Sequence, residues 1–166
     1  MMNINIAELN NDLGRELAFS FVMTAAELDA LSDDYAFLGP IKVAGKVIYT
    51  GTCWRVSGMI KAVKTYVCDR CLKDCRLEQE YEFSEDYVRE NGNDTSANVI
   101  AGDIIDIQDM VRDTLLAAQS LSNLCKPDCN GLCPICGHNL NDGDCGCEHF
   151  VPDPRLAALQ QLLKKD

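Results

Sequence analysis

The sequence predicts an α+β fold: an antiparallel β-meander with a few packed helices, followed by a cysteine-rich C-terminal segment. Three observations predict it. Apolar and polar residues alternate from Glu16 to Met23 and again through most of 42–88, the period of a half-buried strand. From Ile107 the apolar residues recur at helical spacing instead. Finally, residues 125–147 hold six cysteines in a stretch too rich in Gly, Asn and Asp to fold around apolar contacts. At 166 residues and 47% hydrophobic content the chain can bury one ordinary core, and two full-sized domains would each lack buried area. The expected organisation is a core over 1–124 with a Cys-x-x-Cys hairpin tip, a metal-binding segment over 125–150 docked on it, and a helix over 151–166.

The first expected strand runs from Glu16 to Met23, with Leu17, Phe19, Phe21 and Met23 on one face. Thr24 followed by Glu27 has the pattern of a capping box, which predicts a short helix from Ala25 to Leu31. After the Gly39-Pro40 turn come strands over Lys42–Thr50, Cys53–Val67 and Arg76–Val88. The last two form a hairpin, and its apolar residues align if Val67 lies opposite Arg76. That register sets Ile60 against Phe83, Ala62 against Tyr81, Val56 against Tyr87 and Lys61 against Glu82. Residues Asn91 to Gly102 read as a flexible connection. Asp106 then caps a helix from Ile107 to Ser120 whose stripe of Ile107, Met110, Val111, Leu115 and Ala118 faces the core. Asp153 and Pro154 open a last helix with Leu156, Leu159 and Leu163 on its apolar edge.

Ten cysteines in such close pairs argue for metal. Cys-x-x-Cys and Cys-x-Cys close loops too small for unstrained disulfides but make natural chelating bites for a tetrahedral ion. Leu-Cys133-Pro-Ile-Cys136-Gly has the form of a zinc knuckle, with Gly137 available for the positive φ after the second thiolate. Its simplest partners are Cys145 and Cys147, giving a four-sulfur site. A second site joins Cys68 and Cys71 of the hairpin tip to Cys125 and Cys129 at the end of the helix. Cys75 substituting for one of these, exchange of pairs between sites, and a single site with spare thiols stay open. Cys53 reads as a small buried apolar residue in a strand. His138 and His149 could each replace a cysteine as ligand, but with so much sulfur nearby both are expected to face solvent or lie behind the sulfurs. Coordination by sulfur alone leaves no position for water, so one or two Zn²⁺ ions here would be structural; an iron-sulfur cluster uses the same ligands and is the lesser alternative. No Ser-His-Asp set, phosphate-cradling loop or paired-carboxylate pattern points to catalysis.

The net charge is −11, and thiolate ligation makes it more negative still, which suits a basic protein partner better than naked RNA. Residues 42–76 run the other way, with Lys42, Lys46, Arg55, Lys61, Lys64, Arg70, Lys73 and Arg76 against Asp69 and Asp74. The returning strand carries Glu78, Glu80, Glu82 and Asp86, so this basic stripe reads as a self-neutralising face rather than an RNA track. The N-terminus has neither a basic n-region nor an apolar run, and no stretch is long enough to span a membrane, so a cytoplasmic location is expected.

Taken together, Cys68-Asp-Arg-Cys71-Leu72, Asp103-Ile-Ile-Asp106-Ile107, Cys129-Asn-Gly-Leu-Cys133-Pro-Ile-Cys136-Gly137, Asn139-Leu-Asn141, Cys145-Gly-Cys147 and Asp153-Pro-Arg155-Leu156 resemble the bacterial YceD family over almost the whole chain. The resemblance implies a noncatalytic role in ribosome biogenesis, tied to accumulation of large-subunit rRNA, with a basic ribosomal protein or pre-ribosomal particle as partner and no small-molecule substrate. It also implies that metal supports the fold rather than the shared activity, because some relatives lack the cysteines; Cys53 and Cys75 fall outside the family pattern. The alternative from another class is a thiol-based redox or metal-transfer protein. A third reading is a zinc-ribbon nucleic-acid reader resting on Lys61, Lys64 and Arg70.

Overall fold

A computed structural model describes residues 1–9, 12–89, 98–100, 102–148 and 155. The chain divides into two compact units, Met1–Val67 with Asp74–Asn123, and Cys68–Lys73 with Leu124–Asp166. The described residues are mostly β-sheet, with one α-helix.

The first unit contains β1 (Asn3–Asn5), β2 (Glu16–Met23), β3 (Tyr35–Phe37), β4 (Ile41–Tyr49), β5 (Trp54–Val67), β6 (Asp74–Arg89), β7 (Asn98–Ile100) and β8 (Ile104–Asp106), and then α1 (Gln108–Ala117). The main sheet has the order β2-β4-β5-β6-β7, with β3 pairing the distal half of β5, while β1 and β8 form a separate two-stranded ladder. Its four principal strands are antiparallel, as alternation predicts, but β7 runs parallel to β6. The sheet is therefore mixed, not a pure meander. β7 falls within the stretch expected to be a flexible connection, where three residues are too few to show a period.

Alternation places Ile41, Val43 and Val47 of β4 and Trp54, Val56, Ile60 and Ala62 of β5 on one buried face. Met2, Ile4, Ile6, Ile105, Ile107, Val111 and Leu115 belong to the same core cluster. Asp106 Oδ1 accepts the Gln108 amide at 2.9 Å, but Ile107, not Asp106, occupies the N-cap position, and α1 runs from Gln108 to Ala117 rather than from Ile107 to Ser120. Val111 and Leu115 of its stripe are buried, whereas Ala118 is exposed beyond the last turn.

Two other expectations need correction. Thr24 and Glu27 do form the reciprocal capping box, at 2.7 and 3.3 Å, but they cap a single turn and not a helix over Ala25–Leu31. Asp29 enters the left-handed region at φ 53°, which stops propagation after that turn. In the hairpin, Val67 lies opposite Asp74, so Ile60 faces Tyr81, Ala62 faces Gln79 and Lys61 faces Glu80. The register is two residues from the expected one because the tip comprises only Cys68–Lys73 and Cys75 is already in β6; a shift of two keeps every side chain on its face. The C-terminal helix expected at 151–166 lies outside the described residues, apart from Arg155.

Gly45 and Gly58 face each other across β4 and β5. A Cβ on Gly58 would lie 2.8 Å from Gly45 Cα and 2.8 Å from the Phe83 ring, and one on Gly45 would lie 2.8 Å from the Phe19 ring. The Phe19 and Phe83 rings cover the bare backbone where side chains would have stood.

Candidate metal centres

Both cysteine groups belong to the second unit. Within it, two short turns share one construction. In the first, Leu72 donates its amide to Cys68 O and Cys68 to Lys73 O, both at 2.9 Å. In the second, Gly137 donates to Cys133 O at 2.9 Å and Cys133 to His138 O at 2.8 Å. The residue after the second cysteine has positive φ in each, Leu72 at 57° and Gly137 at 75°. This turn brings two sulfurs to one side and aims backbone N–H groups at them: Ile135 donates to Cys133 Sγ at 3.4 Å.

The turn at Cys68–Cys71 meets Cys125 and Cys129, and the turn at Cys133–Cys136 meets Cys145 and Cys147. In each group of four all Sγ atoms lie within 4.8 Å of one another. Cys68 and Cys129 Sγ lie 3.9 Å apart, and Cys71 and Cys125 Sγ 3.6 Å. Four sulfurs on a tetrahedral ion with bonds of about 2.3 Å stand about 3.8 Å apart, so the first group has the dimensions of such a site. Every described cysteine is a free thiol, with no disulfide.

The electrostatics of the groups also call for a cation. Burial opposes ionisation of Cys68, but the amides of Cys71, Cys125 and Arg70 outweigh it and draw the thiol down to about 6. In the other group the amide of Cys136, working against burial, draws Cys133 down to about 6. The remaining partners move the opposite way. Burial and the sulfurs of Cys129, Cys71 and Cys68 push Cys125 up to about 12, and the sulfurs of Cys136 and Cys145 push Cys147 up to about 12. Protein groups alone ionise part of each tetrad; a divalent cation at its centre lets all four sulfurs be thiolates. Cys68, Cys71, Cys129 and Cys133 are buried, Cys125, Cys145 and Cys147 are half-buried, and Cys136 is exposed.

Polar side chains secure this arrangement. Asn141 Nδ2 donates to Cys129 Sγ at 3.3 Å while its Oδ1 accepts the Asn130 amide at 3.0 Å. Asn141 lies in the loop between Cys136 and Cys145, so it ties the loop of one group to a sulfur of the other. Sequence reasoning gives it no such role, although Asn139-Leu-Asn141 is among the residues carrying the family resemblance. Arg70 Nη1 donates to Cys129 O at 2.9 Å, and Leu132 donates to Arg70 O at 3.2 Å.

The other candidates fall outside these groups. Cys75 is half-buried in β6 opposite Tyr66, and Cys53 sits in the turn before β5, where Thr50 Oγ1 lies 3.1 Å from its sulfur. Contrary to the expectation from sequence, Cys53 is neither in a strand nor fully buried. His138 is exposed, and His149 lies outside the described residues. Of the three residues named for the nucleic-acid reading, Lys61 and Arg70 are exposed but Lys64 is buried, with Nζ 2.7 Å from Asn123 Oδ1 and 4.4 Å from the Tyr35 ring centroid. Lys61 pairs with Glu80 at 2.6 Å and Arg55 with Asp86 at 2.7 Å, neutralised by the returning strand as expected, and Lys46 pairs with Glu16 of β2 at 2.7 Å. Among the described residues no helix is long and apolar enough to cross a membrane.

The sequence profile described as "Large ribosomal RNA subunit accumulation protein YceD" matches residues 56–163, a range that includes all eight clustered cysteines. The uncharacterised protein YlbN of Bacillus subtilis is 24% identical over 99% of this chain and 98% of its own length. Uncharacterised proteins of Mycobacterium tuberculosis and Mycobacterium bovis are 29% identical over 65% of this chain, and the match spans 55% of their length, so the chain covers about half of these relatives. No solved structure matches.

Proposed function

The chain belongs to the YceD family of large ribosomal RNA subunit accumulation proteins, and from that premise we propose that it is a noncatalytic ribosome-biogenesis factor whose two cysteine tetrads hold structural Zn²⁺. The observation that carries this reading is the family match across both tetrads. Sulfur separations suited to one tetrahedral ion favour zinc over an iron-sulfur cluster, which spreads its cysteines around several metal atoms. The burial of four of the eight sulfurs disfavours the redox and metal-transfer alternative, which needs accessible thiolates. With a charge of −11 and three of the stripe's eight basic residues paired to carboxylates, the preferred partner is a basic ribosomal protein, alone or in a pre-ribosomal particle, in the cytoplasm.

Depletion of the protein is expected to lower the ratio of large- to small-subunit rRNA in cells. An unchanged ratio would remove the proposed role, whatever the metal content of the purified chain.

A further inference from the structure

Strand β2 is a terminal strand of the main sheet, and its outer edge pairs with no strand among the described residues. Proteins blunt such edges with lysine, proline, a bulge or brevity. β2 has eight residues, Glu-Leu-Ala-Phe-Ser-Phe-Val-Met, and pairs with β4 in unbroken register from Glu16↔Ile48 to Met23↔Ile41. It contains no Lys or Pro and no bulge, and its charged residue, Glu16, stands at the extreme end in a 2.7 Å ion pair with Lys46. The core-side residues Leu17, Phe19, Phe21 and Met23 pack on the cluster yet are only half-buried, and Val22 on the other face is 60% exposed.

We propose that β2 is a homodimer interface, in which two copies join antiparallel β2 strands about a two-fold axis through Ser20 and continue the sheet from one subunit into the other. The occupant is a second copy because the strand is complementary to itself. With Ser20 opposite Ser20, Phe19 of each copy faces Phe21 of the other and Leu17 faces Met23, all on the core side, while Ala18 faces Val22 on the other side. Glu16 falls opposite Thr24, so no like charges meet. Phe19 and Phe21 are already neighbours, with ring centroids 5.8 Å apart, and the two-fold axis gathers four rings over the junction. An edge lacking charges along its length suits this neutral strand better than it suits a basic peptide.

The register supplies its own test. Ala18 and Val22 lie beside Lys46 and Lys42 of β4, so glutamates there are tolerated within one chain. In the dimer, Ala18→Glu with Val22→Glu sets like charges opposite each other at two places. Ala18→Glu with Val22→Lys sets opposite charges there. The zinc-loaded full chain is expected to sediment at twice its chain mass, the first double variant as a monomer, and the second as a dimer again. Ser20→Cys is expected to cross-link to itself under mild oxidation far faster than Ala18→Cys. Circular dichroism and bound metal confirm that each variant is folded. A wild-type chain that stays monomeric at tens of micromolar overturns the proposal, as does a dimer indifferent to both double variants. The proposed rRNA role stands or falls separately, by the depletion experiment.

Discussion

Lys61 and Lys64 lie three residues apart in β5 and point to opposite faces of the sheet. Lys61 makes an exposed ion pair, worth at most about 1 kcal/mol, so Lys61→Ala should hardly move a denaturation midpoint. Lys64 is buried against Tyr35 with its ammonium on Asn123, so Lys64→Ala leaves both a cavity and an amide without its donor. We expect a loss of about 2–4 kcal/mol in chemical denaturation. Equal losses for the two variants would refute this division. The difference was present in the sequence as parity, since residue 64 shares the face of Val56, Ile60 and Ala62; reading lysine as a surface charge hid it. Leu72 was hidden more completely, because a leucine in the left-handed region announces nothing, whereas Gly137 in the equivalent turn does.

At the scale of elements, the long strands were legible because alternation over many residues fixes which face each side chain takes. It does not fix the offset between strands, so the hairpin register depended on the tip, whose length only the turn geometry sets. β1, β3, β7 and β8 have three residues each and offered no pattern to read. The Gly45–Gly58 contact yields a sharper expectation: Gly58→Ala must displace either backbone or the Phe83 ring, and should cost more than about 2 kcal/mol despite alanine's lower unfolded-chain entropy. A neutral or stabilising result in thermal unfolding would show that the two strands relax there. Spacing marked the close cysteine pairs and made Cys133, Cys136, Cys145 and Cys147 the simplest set, but which pairs meet, and the amides and Asn141 that orient the sulfurs, needed the folded chain. If each tetrad holds an ion, metal analysis should find two Zn²⁺ per chain, one after Cys71→Ser or Cys133→Ser, and none after both. Full metal content in either single variant would contradict the assignment.

For the whole molecule the dominant quantity is charge. An acidic chain that meets a basic partner across water should bind it through long-range attraction that salt screens. Affinity for a captured ribosomal protein, measured by titration calorimetry, is therefore expected to fall at least tenfold between low salt and about 0.5 M NaCl, where the Debye length has shrunk to a few ångströms. Binding indifferent to salt would point to an apolar interface instead. Composition made the sign of this surface readable from the outset, but which basic residues were neutralised internally required the pairings across β2, β4, β5 and β6.

The first tetrad is also a knot in the chain's history. Cys68 and Cys129 are 61 residues apart, and β6, β7, β8 and α1 all lie between them; the ends of the second tetrad, Cys133 and Cys147, are 14 residues apart. An ion shared across the longer span closes a loop of chain that includes residues 74–123 and strips conformational freedom from the unfolded chain, whereas the shorter closure removes less. The first ion would act as a removable long-range cross-link, absent while the ribosome is still synthesising residue 129 and closing the loop once that residue emerges.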